Sequence, residues 1–175
     1  MTNDGESAPE PVPRDAAWFE ALFAAHTDAV HRFLLRRGAA SDAEDLCADV
    51  LTTAWRRRDD LPEGHELAWL YRTAGYVLAN HRRKHRPVPV AEVPDDPDRD
   101  SAPDPADLAL ADSELTQVLT ALSPKDRHVL LLHAWEGLDG VALGHALGIS
   151  RGGAAAALSR ARARLREVWE ERVGA

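Results

Sequence analysis

Residues 87–107, PVPVAEVPDDPDRDSAPDPAD, hold six of the chain's 11 prolines and a net charge of −6. Each proline removes an amide donor and disfavours helix at the residue before it. Low hydrophobicity with high charge cannot offset the entropy of ordering. The stretch therefore predicts an extended linker that divides the 175-residue chain in two. A formal charge of −8 argues against a nucleic-acid ligand only if it is spread evenly, and it is not. Residues 1–14 carry −2, while residues 15–86 and 108–175 are each neutral, with eleven and eight charges of either sign. The pattern predicts a disordered acidic tail (1–14), a domain at 15–86, the linker at 87–107 and a second domain at 108–175.

Other features exclude whole classes. The single cysteine, Cys47, permits neither an internal disulfide framework nor a cysteine-based zinc site. No apolar run approaches the roughly 18 residues that span a bilayer. The start, MTNDGESAPEPVPRD, has no signal-peptide pattern. A soluble, cytoplasmic chain with no membrane insertion is expected.

Both neutral blocks read as helices. In the first, Trp18, Phe19, Leu22, Phe23, Val30, Phe33 and Leu34 recur at three- and four-residue steps, and Gly38 ends that helix. Ser41-Asp-Ala-Glu44 reads as a capping box opening a second helix whose apolar face is Leu46, Val50, Leu51, Ala54 and Trp55. A loop with Pro62 and Gly64 leads to a third helix, with Leu67, Leu70, Tyr71, Ala74, Val77 and Leu78 inward. In the second block, Leu108, Ala111, Leu115, Val118, Leu119 and Leu122 form a stripe, and Ser123-Pro124 is an N-cap followed by proline at the first helical position. Gly137 breaks that helix. A short helix at 141–147, a turn at Gly148-Ile149-Ser150 and a last helix (Ala154, Leu158, Ala161, Leu165, Val168 inward) give a helix-turn-helix layout. The fold class is all-α, as two small helical domains.

Two segments are basic without any intervening acid. Arg72, Arg82, Arg83, Lys84 and Arg86 lie between Glu66 and Glu92; Arg151, Arg160, Arg162, Arg164 and Arg166 lie between Asp139 and Glu167. One such cluster is as consistent with a solvated helix face as with phosphate neutralisation. Two, one per block, favour nucleic acid. The first also carries Trp69, Tyr71 and Tyr76, and aromatic faces beside arginine hold unstacked bases; for Tyr71 the helical phase favours the core. Enzymatic chemistry has little support. His81 and His85 have metal-binding spacing, but their neighbours are cationic and supply no carboxylate or thiol. The chain contains no P-loop, dinucleotide fingerprint or nucleophile elbow, and Cys47 reads as a small packed residue. No enzyme activity, cofactor or metal is expected.

DAEDLCADVLTTAW (Asp42–Trp55) resembles the polymerase-binding helix of bacterial extracytoplasmic-function sigma factors, of the sigma-70 family. WLYRTAGYVLANHRRKHR (Trp69–Arg86) is similar to their promoter-melting helix. LSPKDRHVLLLHAWEGLDGVALGHALGIS with LSRARARLR (Leu122–Ser150, Leu158–Arg166) resembles their C-terminal helix-turn-helix. The three stand in family order.

The resemblance implies a sigma factor that binds core RNA polymerase and directs transcription initiation. Asp45, Leu46, Asp49 and Val50 would meet the β′ clamp helices. Trp69, Tyr76, Asn80, Arg82, Arg83 and Lys84 would open the −10 element of promoter DNA. Arg151, Arg160, Arg162 and Arg164 would serve the −35 element, with the β flap nearby. An anti-sigma factor is the implied restraint, and the acidic linker suits the polymerase's cationic cleft.

This sequence also departs from the family. The recognition helix usually begins with a Gly-Thr-Val-Lys-Ser-Arg-like run, where this chain has Gly152-Gly153-Ala154-Ala155-Ala156-Ala157. Base edges are read from that end of the helix, and alanine offers at most a contact to a thymine methyl. Ala142 and Gly144 replace a usual acid and alanine, and Ala48 a usual glutamine. The departures predict a weakened or altered −35 readout. The alternative is a sigma-like interaction protein that binds polymerase or a regulator without efficient promoter selection.

Overall fold

The computed structural model describes residues 13–85 and 113–173. Residues 1–12, the linker 87–107, and Leu108 and Ala111 of the predicted stripe lie outside the described residues. Seven α-helices and one 3-10 turn account for the described chain: α1 (Ala16–Arg36), α2 (Ala43–Arg56), the turn Arg58–Asp60, α3 (Glu66–His85), α4 (Ser113–Ala121), α5 (Pro124–Ala134), α6 (Gly140–Leu147) and α7 (Arg151–Val173). The described residues form no strand, and the all-α expectation holds.

Local chemistry accounts for most helix ends. Asp15 accepts the Trp18 amide at 3.0 Å to open α1. Ser123 accepts the Asp126 amide at 3.1 Å, with Pro124 following, to open α5. Gly38, Gly137 and Gly148 have positive φ and end α1, the α5 segment and α6. The capping box at Ser41 does not form. Asp42 is the N-cap of α2, and the Ser41 hydroxyl donates instead to its carboxylate at 2.7 Å. The helix begins one residue later than the motif requires, so Glu44 is out of register.

The core of the first half is Leu22, Val30, Phe33 and Leu34 of α1, Leu46, Cys47, Val50 and Leu51 of α2, and Leu70, Tyr71, Ala74 and Leu78 of α3. Tyr71 is a core residue and Cys47 is buried, as read from the sequence. Three residues assigned inward are exposed. Phe23 shares the α1 stripe but lies outside the core cluster. Trp55 lies over Phe19 at 5.2 Å and under the Arg58 guanidinium at 4.6 Å. Leu115 sits on the outer side of α4.

Two arginines are buried, and each is satisfied differently. Arg127 donates to the carbonyls of Leu119 (2.8 Å), Thr120 (3.4 Å) and Leu122 (3.0 Å). It thereby caps the orphan carbonyls at the end of α4. Arg37 lies 3.5 Å over the Phe33 ring and donates at 3.0 Å to Glu136, a residue of the other half of the chain. Burial is the main influence on its guanidinium, pulling it down to about 10, and the Glu136 carboxylate opposes that shift.

The apolar core runs without a break from one half to the other. Helix α3 packs on α6, the rings of His65 and His145 lie 5.0 Å apart, and Arg72 rests against the glycine turn after α6.

Candidate nucleic-acid interface

On α3, residues 69, 76, 80 and 83 fall on one face at three-, four- and seven-residue steps. That face carries half-buried Trp69 and Tyr76, then exposed Asn80 and Arg83, with exposed Lys84 at its edge. The cationic and aromatic groups are already engaged with one another. The Arg57 guanidinium stands 5.9 Å from the Trp69 ring centre. Arg72 stands 5.7 Å over the Tyr76 ring and donates to its hydroxyl at 3.4 Å. Arg83 donates to the Asn80 amide oxygen. The stripe offers two aromatic faces and an amide, flanked by positive charge, which suits an unstacked single strand.

Arg82 stands apart from this group. It lies on the opposite side of α3 and donates to the backbone carbonyl of Arg37, tying α3 to the end of α1. The sequence grouped it with Arg83 and Lys84 because three consecutive bases look alike, although helical phase separates them.

On α2 the four predicted contacts also divide. Asp45 and Asp49 are exposed one turn apart, whereas Leu46 and Val50 belong to the core. The surface left for a partner is Asp45, Ala48, Asp49 and Thr52, a row of short side chains with two carboxylates.

In the second half, Gly148 adopts the left-handed conformation at φ 69° and Ser150 accepts the Gly153 amide at 3.1 Å to open α7. Gly144 has a packing reason: a Cβ there would stand 2.9 Å from the Ile149 carbonyl oxygen and 3.4 Å from the Arg151 nitrogen, both main chain. Its absence lets α6 and the start of α7 approach closely.

The outward side of the first turns of α7 is Arg151, Gly152, Ala155, Ala156 and Ser159, all exposed. A Cβ at Gly152 would meet nothing within 4 Å. Of the four predicted bases here, Arg151 and Arg160 have no ion-pair partner among the described residues. Arg164 pairs loosely with Glu167 at 3.4 Å. Arg162 donates to His133 Nε2 at 2.6 Å, which leaves the His133 Nδ1–H to donate to the Leu138 carbonyl at 2.8 Å. That chain of contacts holds Arg162 toward its own domain.

Glu136, Arg36 and Arg37 were missed in the sequence. Glu136 Oε1 accepts from Arg37 at 3.0 Å and Oε2 accepts from Arg36, and the Glu136 side chain is 1 % exposed. The Tyr71 hydroxyl shares the site. Burial first, and this carboxylate second, push its phenol up to about 12. No group of three or more histidine, cysteine or acidic residues among the described residues is placed to hold a metal ion, and none of the described helices is long and apolar enough to cross a membrane.

A stripe of aromatics and bases on one helical unit, joined in one chain to a helix-turn-helix unit, is an arrangement suited to nucleic acid. Two family descriptions match these same halves: Sigma-70 region 2 over residues 22–88 and Sigma-70 region 4 over residues 112–165. The RNA polymerase sigma-E factor of Streptomyces avermitilis is 36 % identical over 137 residues, 75 % of this chain and 73 % of that protein. Its counterpart in Streptomyces coelicolor is 36 % identical over 132 residues, covering 72 % of this chain and 71 % of that one. Among solved structures, CnrH in complex with the cytosolic domain of CnrY shares the fold, with a TM-score of 0.60 at 24 % identity over 90 % of this chain and 91 % of that one. The chain belongs to the sigma-70 family, as an RNA polymerase sigma factor of the extracytoplasmic-function type. It is a transcription initiation factor with a DNA-binding helix-turn-helix and is not an enzyme.

Proposed function

We propose that this sigma factor docks on the β′ clamp helices of core RNA polymerase through the Asp45–Asp49 face of α2. The α3 stripe then opens the −10 element and holds the displaced bases. Residues 15–86 and 108–175 are the working units, and the second sits on the −35 element and the β flap. The observation that carries this reading is the single face shared by Trp69, Tyr76, Asn80 and Arg83, which combines stacking surface, an amide and positive charge. Leu46 and Val50 support the α2 face from the core rather than touching polymerase, and Arg82 fixes the orientation of α3. An anti-sigma protein restrains the factor. The support is the fold shared with CnrH, solved with CnrY, and with RpoE of Bartonella quintana, solved with the anti-sigma factor NepR (TM-score 0.56, 21 % identity, covering 87 % of this chain and 96 % of that one).

The −35 contact is weak in sequence discrimination. Gly152, Ala155 and Ala156 face outward where base-reading side chains are placed in such modules. Arg151 and Arg160 remain for phosphates, which position a protein without reporting sequence. Run-off transcription of genomic DNA with purified core enzyme is the test. Mapped, reproducible start sites with a common −10 sequence are expected. Recovery of polymerase without initiation would instead support the interaction-protein reading, which the bare start of α7 favours.

A further inference from the structure

A cavity of about 430 Å³ lies where α3, α5, α6 and α7 meet, beside the faces assigned to DNA. That volume falls within the range of about 300–1,000 Å³ typical of small-molecule sites. Its floor is apolar, made of the buried side chains Tyr71, Val129, Leu132 and Ala146, and exposed Ile149 extends the apolar wall toward solvent. The rim is charged, and the charge is one-sided. Arg72, Lys125 and Arg160 line it, all exposed, against a single acid, Asp126. That acid is already committed: it accepts from the Ser123 hydroxyl at 2.7 Å and stands in the first turn of α5. His128 lines the cavity without adding charge, because burial first and the Arg37 guanidinium second pull its imidazole down to about 3. Its Nδ1, sealed from water, has no hydrogen-bond partner among the described residues. Arg72 is held in place. It donates to the Tyr76 hydroxyl at 3.4 Å and lies against Gly148, where a Cβ would stand 2.5 Å from its Nη2.

From this we infer that the cavity is a binding site for a small amphipathic organic anion. An aromatic or branched apolar body sits on Val129, Leu132 and Ala146, and one carboxylate or phosphate head meets Arg72 and Arg160. A guanidinium fork matches either head, and an apolar floor with a few convergent polar groups is the usual composition of such sites. An organic cation is excluded by the rim, and a bare inorganic anion would leave the apolar floor unused. One further step rests on the promoter reading above: Tyr76 and Arg160 serve DNA there, so a ligand seated here competes with the promoter for them.

Titration calorimetry of the full chain tests the site with one apolar body and four head groups: naphthoate, naphthyl phosphate, naphthalenemethanol and naphthylmethylamine. Saturable one-to-one binding of an anion is expected, with the alcohol about tenfold weaker and the ammonium weaker still. Whether naphthoate or naphthyl phosphate binds more tightly tells a carboxylate ligand from a phosphate one. Arg72→Gln with Arg160→Gln should bring the anions down to the affinity of the alcohol. Ala157→Trp, which fills the cavity without changing charge, should abolish binding at unchanged helicity. In the wild-type chain the bound anion should shift the methyl resonances of Val129 and Leu132 and leave those of Val50 and Leu51 in place. Run-off transcription with core polymerase should fall as the anion saturates, and not with the alcohol at the same concentration. The site is overturned by an absence of saturable binding, by equal binding of all four head groups, or by binding that leaves the Val129 and Leu132 methyls unmoved. Saturation with no fall in transcription would overturn the competition. In each of these cases the sigma reading would stand. A chain that never binds core polymerase would sink that reading and the competition with it, while the titration still decides the site.

Discussion

Helices α3 and α7 are both long, both rich in arginine, and both serve a unit of the same transcription factor. They present opposite surfaces. The outward face of α3 carries two aromatic rings, an amide and two bases, while the first turns of α7 carry glycine and alanine between Arg151 and Arg160. A helix can bring charge to a phosphate from almost anywhere on its surface, but it reads a base only with side chains long enough to reach one. The charge of the two clusters is therefore similar, while the side chains they hold out to a base are not. On the reading proposed above, one chain would divide selectivity unequally between its halves.

The largest effect that would break this comparison lies on α3. Replacing Trp69 and Tyr76 together by alanine is expected to weaken capture of the opened strand by about 2–6 kcal/mol, taking about 1–3 kcal/mol per stacked base. Permanganate reactivity of −10 thymines should disappear while polymerase binding persists. If reactivity survives, the stripe is structural and the contrast with α7 is void. Next in size is a pH effect at the seam between the halves. His128 lies there, with burial first and the Arg37 charge second pulling its imidazole down to about 3. Its lowered folded value means that stability is fully present above the ordinary histidine range, near 6.5. Stability is lost as pH falls below that toward 3, at about 1.4 kcal/mol per unit for one proton. Urea titrations from pH 7 to pH 5 should show this slope, and His128→Leu should flatten it.

A smaller effect sharpens the comparison directly. Single base changes in the −10 element are expected to cost about 1–3 kcal/mol each, as for read positions generally, and those in the −35 element under about 1 kcal/mol. Equal costs measured by competition binding of the holoenzyme would remove the distinction. The smallest concerns the backbone alone. Gly152→Ala meets open space, so it should stabilise α7 by up to about 1 kcal/mol, raising the melting temperature, with no change in promoter choice.

Much of the fold is readable from the sequence because helical period, turn glycines and caps are local signals. The order of helices, the burial of Tyr71 and Cys47, and the breaks at Gly38, Gly137 and Gly148 all follow from spacing and residue type. What is not readable depends on partners distant in the chain. Nothing near Arg37 distinguishes it from the exposed Arg56 or Arg57; its burial requires Glu136, 99 residues away. Charge neutrality of each block conceals the same pair, because an acid and a base that meet across a boundary count as surplus in neither. Leu46 and Val50 show a further limit, since a family motif marks which helix contacts a partner without saying which of its residues face outward.

Gly144 has a consequence for how the second half meets DNA. The main chain of Ile149 and Arg151 occupies the space a methyl group would need, so alanine there would have to push the first turn of α7 away from α6. The angle between α6 and α7 is therefore set by an absent atom on the supporting helix, and re-aiming α7 need not alter a single residue of α7.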